Sequence, residues 1–284
     1  MKVISLGWGV QSFTLAAMCA LGELEPVDYV IHADTLHESE LTYQYAQKMT
    51  PWLEERGIKV VTVKNPTGTI WDGFKKNFIY LPLYTSYDGY EKLVPKKEML
   101  WDENKEEFEE IITDEMIEVS AGKPGQFMRI CTNRWKISPI HKFCQARRNG
   151  EPVETWLGIS TDEWQRMKPD PVKYIERRWP LIEKGMSRQD CYDWLSDKGI
   201  DLPARSACTF CPYHNTVEWR EMKDRGGHDW EEAVAVDKAV RHMRDGEVFL
   251  HPSRVPLDEV DFRTAEELGQ LSLWDNECEG MCGL

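Results

Sequence analysis

Val3-Ile4-Ser5-Leu6-Gly7-Trp8-Gly9-Val10-Gln11-Ser12 passes from apolar to glycine-bearing to helix-forming sequence in one short stretch. The first four residues predict a strand. After the loop, Phe13, Ala16, Ala17 and Leu21 recur at helical spacing until Gly22 and Pro26 stop the helix. An α/β sheet binds its ligands outside the carboxyl ends of its strands, where such a loop sits. Glycines let backbone N–H groups approach a ligand, and a helix N-terminus favours an anion. Gln11 and Ser12 add side-chain donors. Two readings stay open: a phosphate-binding loop formed by Ser5, Gly7, Trp8, Gly9, Val10, Gln11 and Ser12, or a tight structural turn. The Gly-Lys-Ser/Thr ending of a Walker A loop is absent, and the glycine spacing is not that of a dinucleotide fingerprint.

Outward from this stretch the alternation continues. Residues 27–31 predict a second strand. Leu41, Tyr45, Met49, Trp52 and Leu53 then mark a helix, with Pro51 placed to kink or restart it. Gly57 suits a C-cap, and residues 58–63 predict a third strand. Strand–helix–strand–helix–strand with short links implies a doubly wound, mostly parallel α/β sheet. Residues 66–126 read as an irregular insertion partly covering the sheet, with an acidic helical run near 103–118. The pattern resumes at Val153-Glu154-Thr155-Trp156-Leu157, which leads into Gly158-Ile159-Ser160. Helices are predicted over 187–198, between Ser187 and Gly199 as caps, and over 229–244.

Composition bounds the function. The 284 residues carry 49 acidic against 35 basic side chains, for a formal charge of −14. That argues against a general nucleic-acid coat and leaves room for a local basic pocket. The sequence lacks a signal-peptide pattern and a long apolar run, so a cytoplasmic protein with no membrane association is expected. Its eight cysteines are then metal ligands, catalytic groups or buried packing, not disulfide staples.

Their spacing separates those roles. Cys208-Thr209-Phe210-Cys211 is a CxxC pair able to place both thiolates on one metal or cluster. Cys278 and Cys282 form a CxxxC further on. Cys131 lies in a basic run with Arg129, Arg134, Lys136, Lys142, Arg147 and Arg148. Cations beside a thiolate lower its pKa and bind phosphate or sulfate, and Arg129 and Lys136 flank Cys131. Solvated helix faces account for several of the others. Cys19 and Cys191 read as packing, Cys144 as a helix residue with a lesser claim as ligand, and His214 as a packing residue or a ligand.

Several of these motifs resemble a known superfamily. Ser5-x-Gly7-x-Gly9-Val10-Gln11-Ser12 is similar to the PP-loop of adenine nucleotide α-hydrolases, with Gly7 for the usual Ser, Trp8 for the first Gly and Gln11 for the commoner Asp. Asp34-Thr35-Leu36-His37-Glu38 is similar to that superfamily's Asp-Thr-Gly-x-Glu element; the alternative for Asp34 is the N-cap of the next helix. Cys131-Thr132-x-x-Trp135-Lys136-Ile137-x-Pro139-Ile140, Leu157-Gly158-Ile159-Ser160-Thr161-Asp162-Glu163 with Arg166, and Ser206-Ala207-Cys208-x-x-Cys211 resemble motifs of the phosphoadenylyl sulfate (PAPS) and adenylyl sulfate (APS) reductases, in the same order. Thr132 stands for the second cysteine of their first pair, and their final His is missing after Cys282-Gly283-Leu284.

The resemblance implies an adenine nucleotide α-hydrolase-like domain over 1–200 and a cysteine-rich region over 201–284 packed on the site. It implies an adenine nucleotide, ATP or PAPS/APS, bound by the loop together with Asp34, Thr35, Gly158, Ile159 and Arg166. It implies a [4Fe-4S] cluster on Cys131, Cys208, Cys211 and a fourth ligand, with Cys278 preferred over Cys282 and Cys144 and Zn2+ as the alternative metal. Cys282, Lys136 and Arg129 would be catalytic, in sulfur or thiol chemistry with a reductant such as thioredoxin. An ATP pyrophosphatase with Mg2+ that adenylates a nucleoside or nucleic-acid acceptor, as in thiolation or DNA phosphorothioation, is the second reading. A non-catalytic zinc-stabilised nucleotide-binding module is the third.

Overall fold

The structure is a computed structural model that describes residues 1–66, 68–86, 91–102, 107–120, 125–244, 246–263 and 267; of 91–102 and 107–120 only the strand backbone is described. Five parallel strands make the main sheet. Lys2–Leu6 (β1) leads to helix Val10–Ala20 (α1), then to strand Tyr29–Asp34 (β2), helix Glu40–Glu54 (α2) and strand Val60–Lys64 (β3). A short helix, Ile70–Lys75 (α3), and strand Tyr84–Ser86 (β4) follow. Next come a hairpin of Glu91–Asp102 (β5) and Glu107–Ser120 (β6), and strand Gly125–Gln126 (β7). A π-helical turn at Thr132–Ile137 runs into helix Ser138–Arg147 (α4). The sheet is completed by Val153–Leu157 (β8) and Ile175–Arg178 (β9). Helices Pro180–Glu183 (α5), Arg188–Asp197 (α6), Thr216–Arg225 (α7) and His228–Val240 (α8) and strand Glu247–Phe249 (β10) follow.

Strand order is β3-β2-β1-β8-β9, every pairing parallel. The chain moves outward from β1 to β3, then returns to the other side of β1 as β8. The carboxyl end of β1 is therefore the switch point, where connections leave toward opposite faces and open a crevice. Helices cover both faces. On one, Phe13, Ala16 and Ala17 of α1, Tyr45 and Leu53 of α2 and Leu195 of α6 pack on Ile4, Val30 and Trp156. On the other, Ile140, Phe143 and Cys144 of α4 pack on Val3, Ile31 and Val153. Alternate residues of β1, Val3 and Ile4, thus face opposite cores, as the two-residue strand period requires.

A separate core joins the segment after β3 to the C-terminal region. Ile79, Leu81 and Leu83 pack with Trp219 and Met222 of α7, Val236 and Val240 of α8, and Leu250. Strands β10, β4 and β7 form a three-stranded sheet beside it.

Sequence expectation and structure part in three places. Pro51 does not restart α2, which runs unbroken to Glu54. From residue 107 on, the acidic run near 103–118 is not helical: Glu107–Ser120 is a strand paired antiparallel with β5; residues 103–106 lie outside the described residues. Ile111, Ile112, Thr113, Ile117 and Val119 are β-branched, and stiff branched side chains favour a pleated ribbon over a helix. Among the described residues the insertion thus carries α3, β4, β7 and a hairpin that pairs with neither other sheet. Among the described residues no helix is long and apolar enough to cross a membrane.

Candidate functional site

Three chain segments converge at the carboxyl end of β1. The first is the glycine-bearing loop. Gly9 caps α1, and Ser12 closes the loop: its Oγ accepts from Gly7 N at 3.1 Å and donates to Gly9 O at 3.2 Å. Trp8 takes φ +64, the left-handed region where glycine is unstrained. Its buried ring stacks on Phe13 and meets His32 and Tyr45 edge-on, and its indole N–H has no partner among the described residues. Packing of a large ring holds the backbone where sequence reasoning expected a glycine-like turn. Ser206, just before the CxxC pair, donates its hydroxyl to Gly7 O.

The second segment leaves β8. A Cβ on Gly158 would lie 2.6 Å from Ser12 N, 2.7 Å from Ser12 Cα and 2.9 Å from Gln11 C. No side chain fits, so Gly158 is there for close backbone approach. Downstream, Gln11 Nε2 donates to Ser160 Oγ at 2.6 Å and to Glu163 Oε2 at 2.8 Å. Glu163 also accepts from Arg166 Nη1 and Arg188 Nη2, each at 2.8 Å. Arg166, singled out in the sequence, thus reaches the loop through a carboxylate that was not. Glu163 lies in the quoted run, but nothing in its spacing marks it; only the fold brings Arg188 to it.

The third segment follows β2. Asp34 accepts from Tyr43 Oη (2.7 Å) and Leu36 N (2.8 Å) and pairs with Lys64 at 3.2 Å. Burial pushes its carboxyl up, but these donors outweigh that and hold it below the usual range. Asp34 is not an N-cap: Ser39 caps α2 by accepting from Thr42 N. Residues 37–39 are stitched to the CxxC segment by Thr209 N to His37 O (2.9 Å), Ser39 N to Ala207 O (3.1 Å) and an antiparallel bridge between Glu38 and Cys208.

Glu38 is the centre of this corner. Its side chain is fully buried; Oε1 lies 2.9 Å from Lys136 Nζ and accepts from Thr35 Oγ1 at 3.1 Å. Burial drives the carboxyl up and Lys136 drives it down, with a net lowering. Burial likewise pulls the Lys136 ammonium down, and Glu38 with Cys208 and Cys211 more than reverses that. Cys208 Sγ is 3.4 Å from Thr35 Oγ1 and 3.8 Å from Glu38 Oε1. Burial first and the Glu38 carboxylate second push its thiol up, against Lys136. Cys211 is raised by burial and by Cys131, with Arg129 and Lys136 opposing. At Cys208 and Cys211 desolvation therefore outweighs the nearby cations.

Cys131, Cys208, Cys211, Arg129 and Lys136 share one electrostatic neighbourhood, yet among the described residues no group of three or more His, Cys, Asp or Glu is gathered tightly enough to hold a metal ion. Cys278 and Cys282 lie outside the described residues. Cys144 is buried in the core under α4, a different cluster from the one Cys131 and Cys208 touch. Burial pushes its thiol to about 11, and those of Cys19 and Cys191 to about 12, as for packing residues. His214 braces the CxxC turn: its ring is bonded to Cys208 O at 2.9 Å and packs edge-on against Trp219. Arg129 stacks on Tyr213.

Ser5 lies inside β1, and Val10 and Ile159 are buried, so these three shape the loop through backbone and packing. Sequence reasoning missed His37 and Glu232. His37 Nδ1 lies 2.7 Å from Glu232 Oε1, and Glu232 Oε2 accepts from Thr209 Oγ1 at 2.6 Å. They line a cleft of about 150 Å³ with Glu38, Glu40, Tyr43 and Asp229.

No protein-family profile matches the chain. The uncharacterized nin region protein ORF290 of Escherichia phage lambda is 29% identical over 94 residues, which cover 32% of this chain and 31% of that protein. The match thus spans about a third of that relative's length. A solved phosphoadenylyl-sulfate (PAPS) reductase from Candida auris, in a phosphate complex, is similar at a TM-score of 0.42 and 12% identity, over 71% of this chain and 74% of that one.

Proposed function

We propose that the chain is a PP-loop-type enzyme that binds an adenine nucleotide at the β1–α1 loop and carries out sulfur or thiol chemistry at the adjoining Lys136–cysteine corner. The observation that carries this reading is the junction itself. The glycine-bearing loop at the sheet's switch point is bonded through Gly7 and Ser206 to the segment that also holds Cys208 against Glu38 and Lys136. Phosphates would sit against the N–H groups of Gly7 to Ser12, where helix α1 begins, with Gly158 giving the approach. Asp34, Thr35, Ile159 and Arg166 would border the nucleotide.

Lys136 would face the charge that develops on a phosphoryl or sulfuryl oxygen, held in place by Glu38 so that little reorganisation is needed. Arg129 would assist. With burial pushing their thiols up, Cys208 and Cys211 would not serve as unaided nucleophiles; Cys282 would take that role. A [4Fe-4S] cluster, with Zn2+ as the alternative, would be held by Cys131, Cys208, Cys211 and Cys278, and the metal would keep these cysteines as thiolates beside the Lys136 ammonium. Thioredoxin or a similar thiol would reset an oxidised cysteine. With ATP and Mg2+ the same loop would serve adenylation of an acceptor.

Anaerobically purified protein offered adenylyl sulfate and reduced thioredoxin should release sulfite and AMP, or, offered ATP and an acceptor, pyrophosphate. Release of neither, with no nucleotide binding by calorimetry, overturns the proposal. Iron, sulfide and zinc analysis of wild type beside Cys131→Ala, Cys208→Ala and Cys282→Ala tests the ligand roles. Metal lost in the first two and kept in the third is the expected result, and metal kept in all three refutes the assignment.

A further inference from the structure

The basic run 129–148 behaves unlike the rest of the surface. Elsewhere many arginines are neutralised: Arg166 and Arg188 by Glu163, Arg177 by Asp170, Arg178 by Glu183. Among the described residues no carboxylate lies within ion-pair distance of Arg129, Lys142, Arg147 or Arg148. Arg147 lies over Phe143 at 3.9 Å and Arg148 over Tyr174 at 4.2 Å, contacts that orient a guanidinium without cancelling its charge.

Within this run lies a cleft of about 230 Å³, between the carboxyl end of β3 and the start of α4. Asn65, Ile130, Asn133, Arg134, Ser138 and Lys142 line it, and none is acidic. Asn65 Nδ2 donates to Arg134 O at 2.8 Å, tying the two walls together. The Arg134 guanidinium lies over Tyr80 at 4.9 Å. Tyr80 stacks at 4.3 Å on Phe78, which is 43% exposed, and its carbonyl accepts from Ile130 N and Cys131 N. One continuous strip thus runs from an exposed aromatic ring, past a cationic cleft, to the segment carrying Lys136.

A cleft of amide, hydroxyl and cationic groups in a chain of net charge −14 selects an anion. An exposed ring beside it adds a stacking surface, and phosphate contacts alternating with base stacking are how single strands are held. The chain's net negative charge disfavours the broad footprint of a duplex. We propose that the cleft of Asn65, Arg134, Ser138 and Lys142 binds the phosphodiester backbone of a single-stranded nucleic acid, with Phe78 stacking on a base, and so presents an acceptor strand to the Lys136 corner. The acceptor role rests on the adenylating form of the function proposed above; the binding site itself does not.

The test uses the full chain and fluorescein-labelled single strands of about twelve nucleotides, DNA and RNA, read by anisotropy at about 50 mM salt. Binding should weaken steeply as salt rises. Lys142→Glu, at an exposed helix position, should weaken it at least about tenfold and lower the salt slope by about one. Phe78→Ala should weaken it roughly fivefold or more. Calorimetric titration with ATP should be the same for both variants as for wild type. Failure of folded wild type to bind either strand, or Lys142→Glu binding like wild type, overturns the inference. So does inorganic pyrophosphate displacing the strand at equal concentration, which would make the cleft a free-phosphate site. If strands bind as expected while ATP does not bind, the inference stands and the nucleotide reading falls.

Discussion

Two halves of the site meet at one sheet edge and settle their polar groups in opposite ways. In the loop half, the Ser12 hydroxyl, the Gln11 amide and the Glu163 carboxylate are bonded to one another's surroundings. In the cysteine half, Glu38 Oε2 and His37 Nε2 are buried without a hydrogen-bond partner among the described residues. Buried orphan acceptors and donors are rare and costly, and they concentrate where chemistry is done. The Trp8 indole N–H is the loop half's orphan donor among the described residues, but its hydroxyl, amide and carboxylate are engaged, and a ligand must displace those bonds. The cysteine half is tied by backbone bonds and the His37–Glu232 contact, and its orphan groups lie beside the Lys136–Glu38 ion pair.

The sharpest way to break this contrast is to remove that pair. Lys136→Met leaves the Glu38 carboxylate buried with only Thr35 and the weak Cys208 thiol donating to it. Because Lys136 itself is partly exposed, the loss should be about 1–3 kcal/mol. Lys136→Met combined with Glu38→Gln should recover much of that loss, because no buried charge remains. Chemical denaturation of the two variants checks this; equal stability of Lys136→Met and wild type would show that solvent, not Lys136, balances Glu38.

Gly158→Ala attacks the loop half. Its Cβ meets backbone atoms on Ser12 and Gln11, which cannot swing aside as a side-chain end would. Overpacking of this kind costs about 1–3 kcal/mol and should weaken adenine-nucleotide binding more than tenfold. Gly9→Ala is the control: its Cβ would lie 3.6 Å from Ser206 Cβ, an ordinary contact, so stability and binding should change little. Similar losses for both variants would mean the loop needs glycine for flexibility, not for space.

Acid should loosen the core behind the cysteine half before the loop half. His251 is buried against Phe262, and its Nδ1 accepts from Ser253 N, an arrangement that fits the neutral ring. Burial depresses its pKa from 6.5 to about 4. Above the unfolded value both states are neutral and the full stability is present. As pH falls from about 6.5 toward 4 the unfolded chain takes up the proton and the folded one resists, so stability drops by on the order of 2 kcal/mol. Denaturation midpoints at pH 7.5 and 5 (about the two sides of that window) measure the drop. His251→Gln should flatten it, and an unchanged slope would place the acid-sensitive group elsewhere.

The fold was legible because its signals were local. The run 3–12 carries its own strand, turn and helix, and residues 153–157 match β8 residue for residue. The hairpin was misread because Glu and Asp along 103–118 masked its β-branched residues. In the site, Gly158 and Arg166 were reachable from their motif and Lys136 from its neighbours. Glu163, Ser206 and Glu232 were not: each acts through a partner more than twenty residues away, Gln11, Gly7 and Thr209, and no spacing records such contacts. Trp8 shows the converse. A glycine position was filled by the bulkiest side chain, and only the aromatic pocket of Phe13, His32 and Tyr45 explains how.

The smallest effect on stability is expected at Glu163, and it bears most directly on how the loop opens. Gln11, Arg166 and Arg188 all donate to this one carboxylate, so the loop's neighbouring cations face an internal anion. A nucleotide phosphate arriving at the loop meets that charge as a repulsion and finds the donors engaged. Glu163→Gln keeps an acceptor for Gln11, removes the charge and releases both guanidiniums. Because these are partly exposed pairs, stability should change by no more than about 1 kcal/mol. Affinity for ATP should instead rise by roughly three- to tenfold, since charge-assisted bonds to phosphate replace those to Glu163. Calorimetry on the folded variant separates the alternatives. Tighter binding makes Glu163 an occupant that the phosphate displaces, whereas weaker binding makes it a support that Gln11 needs in order to face the nucleotide.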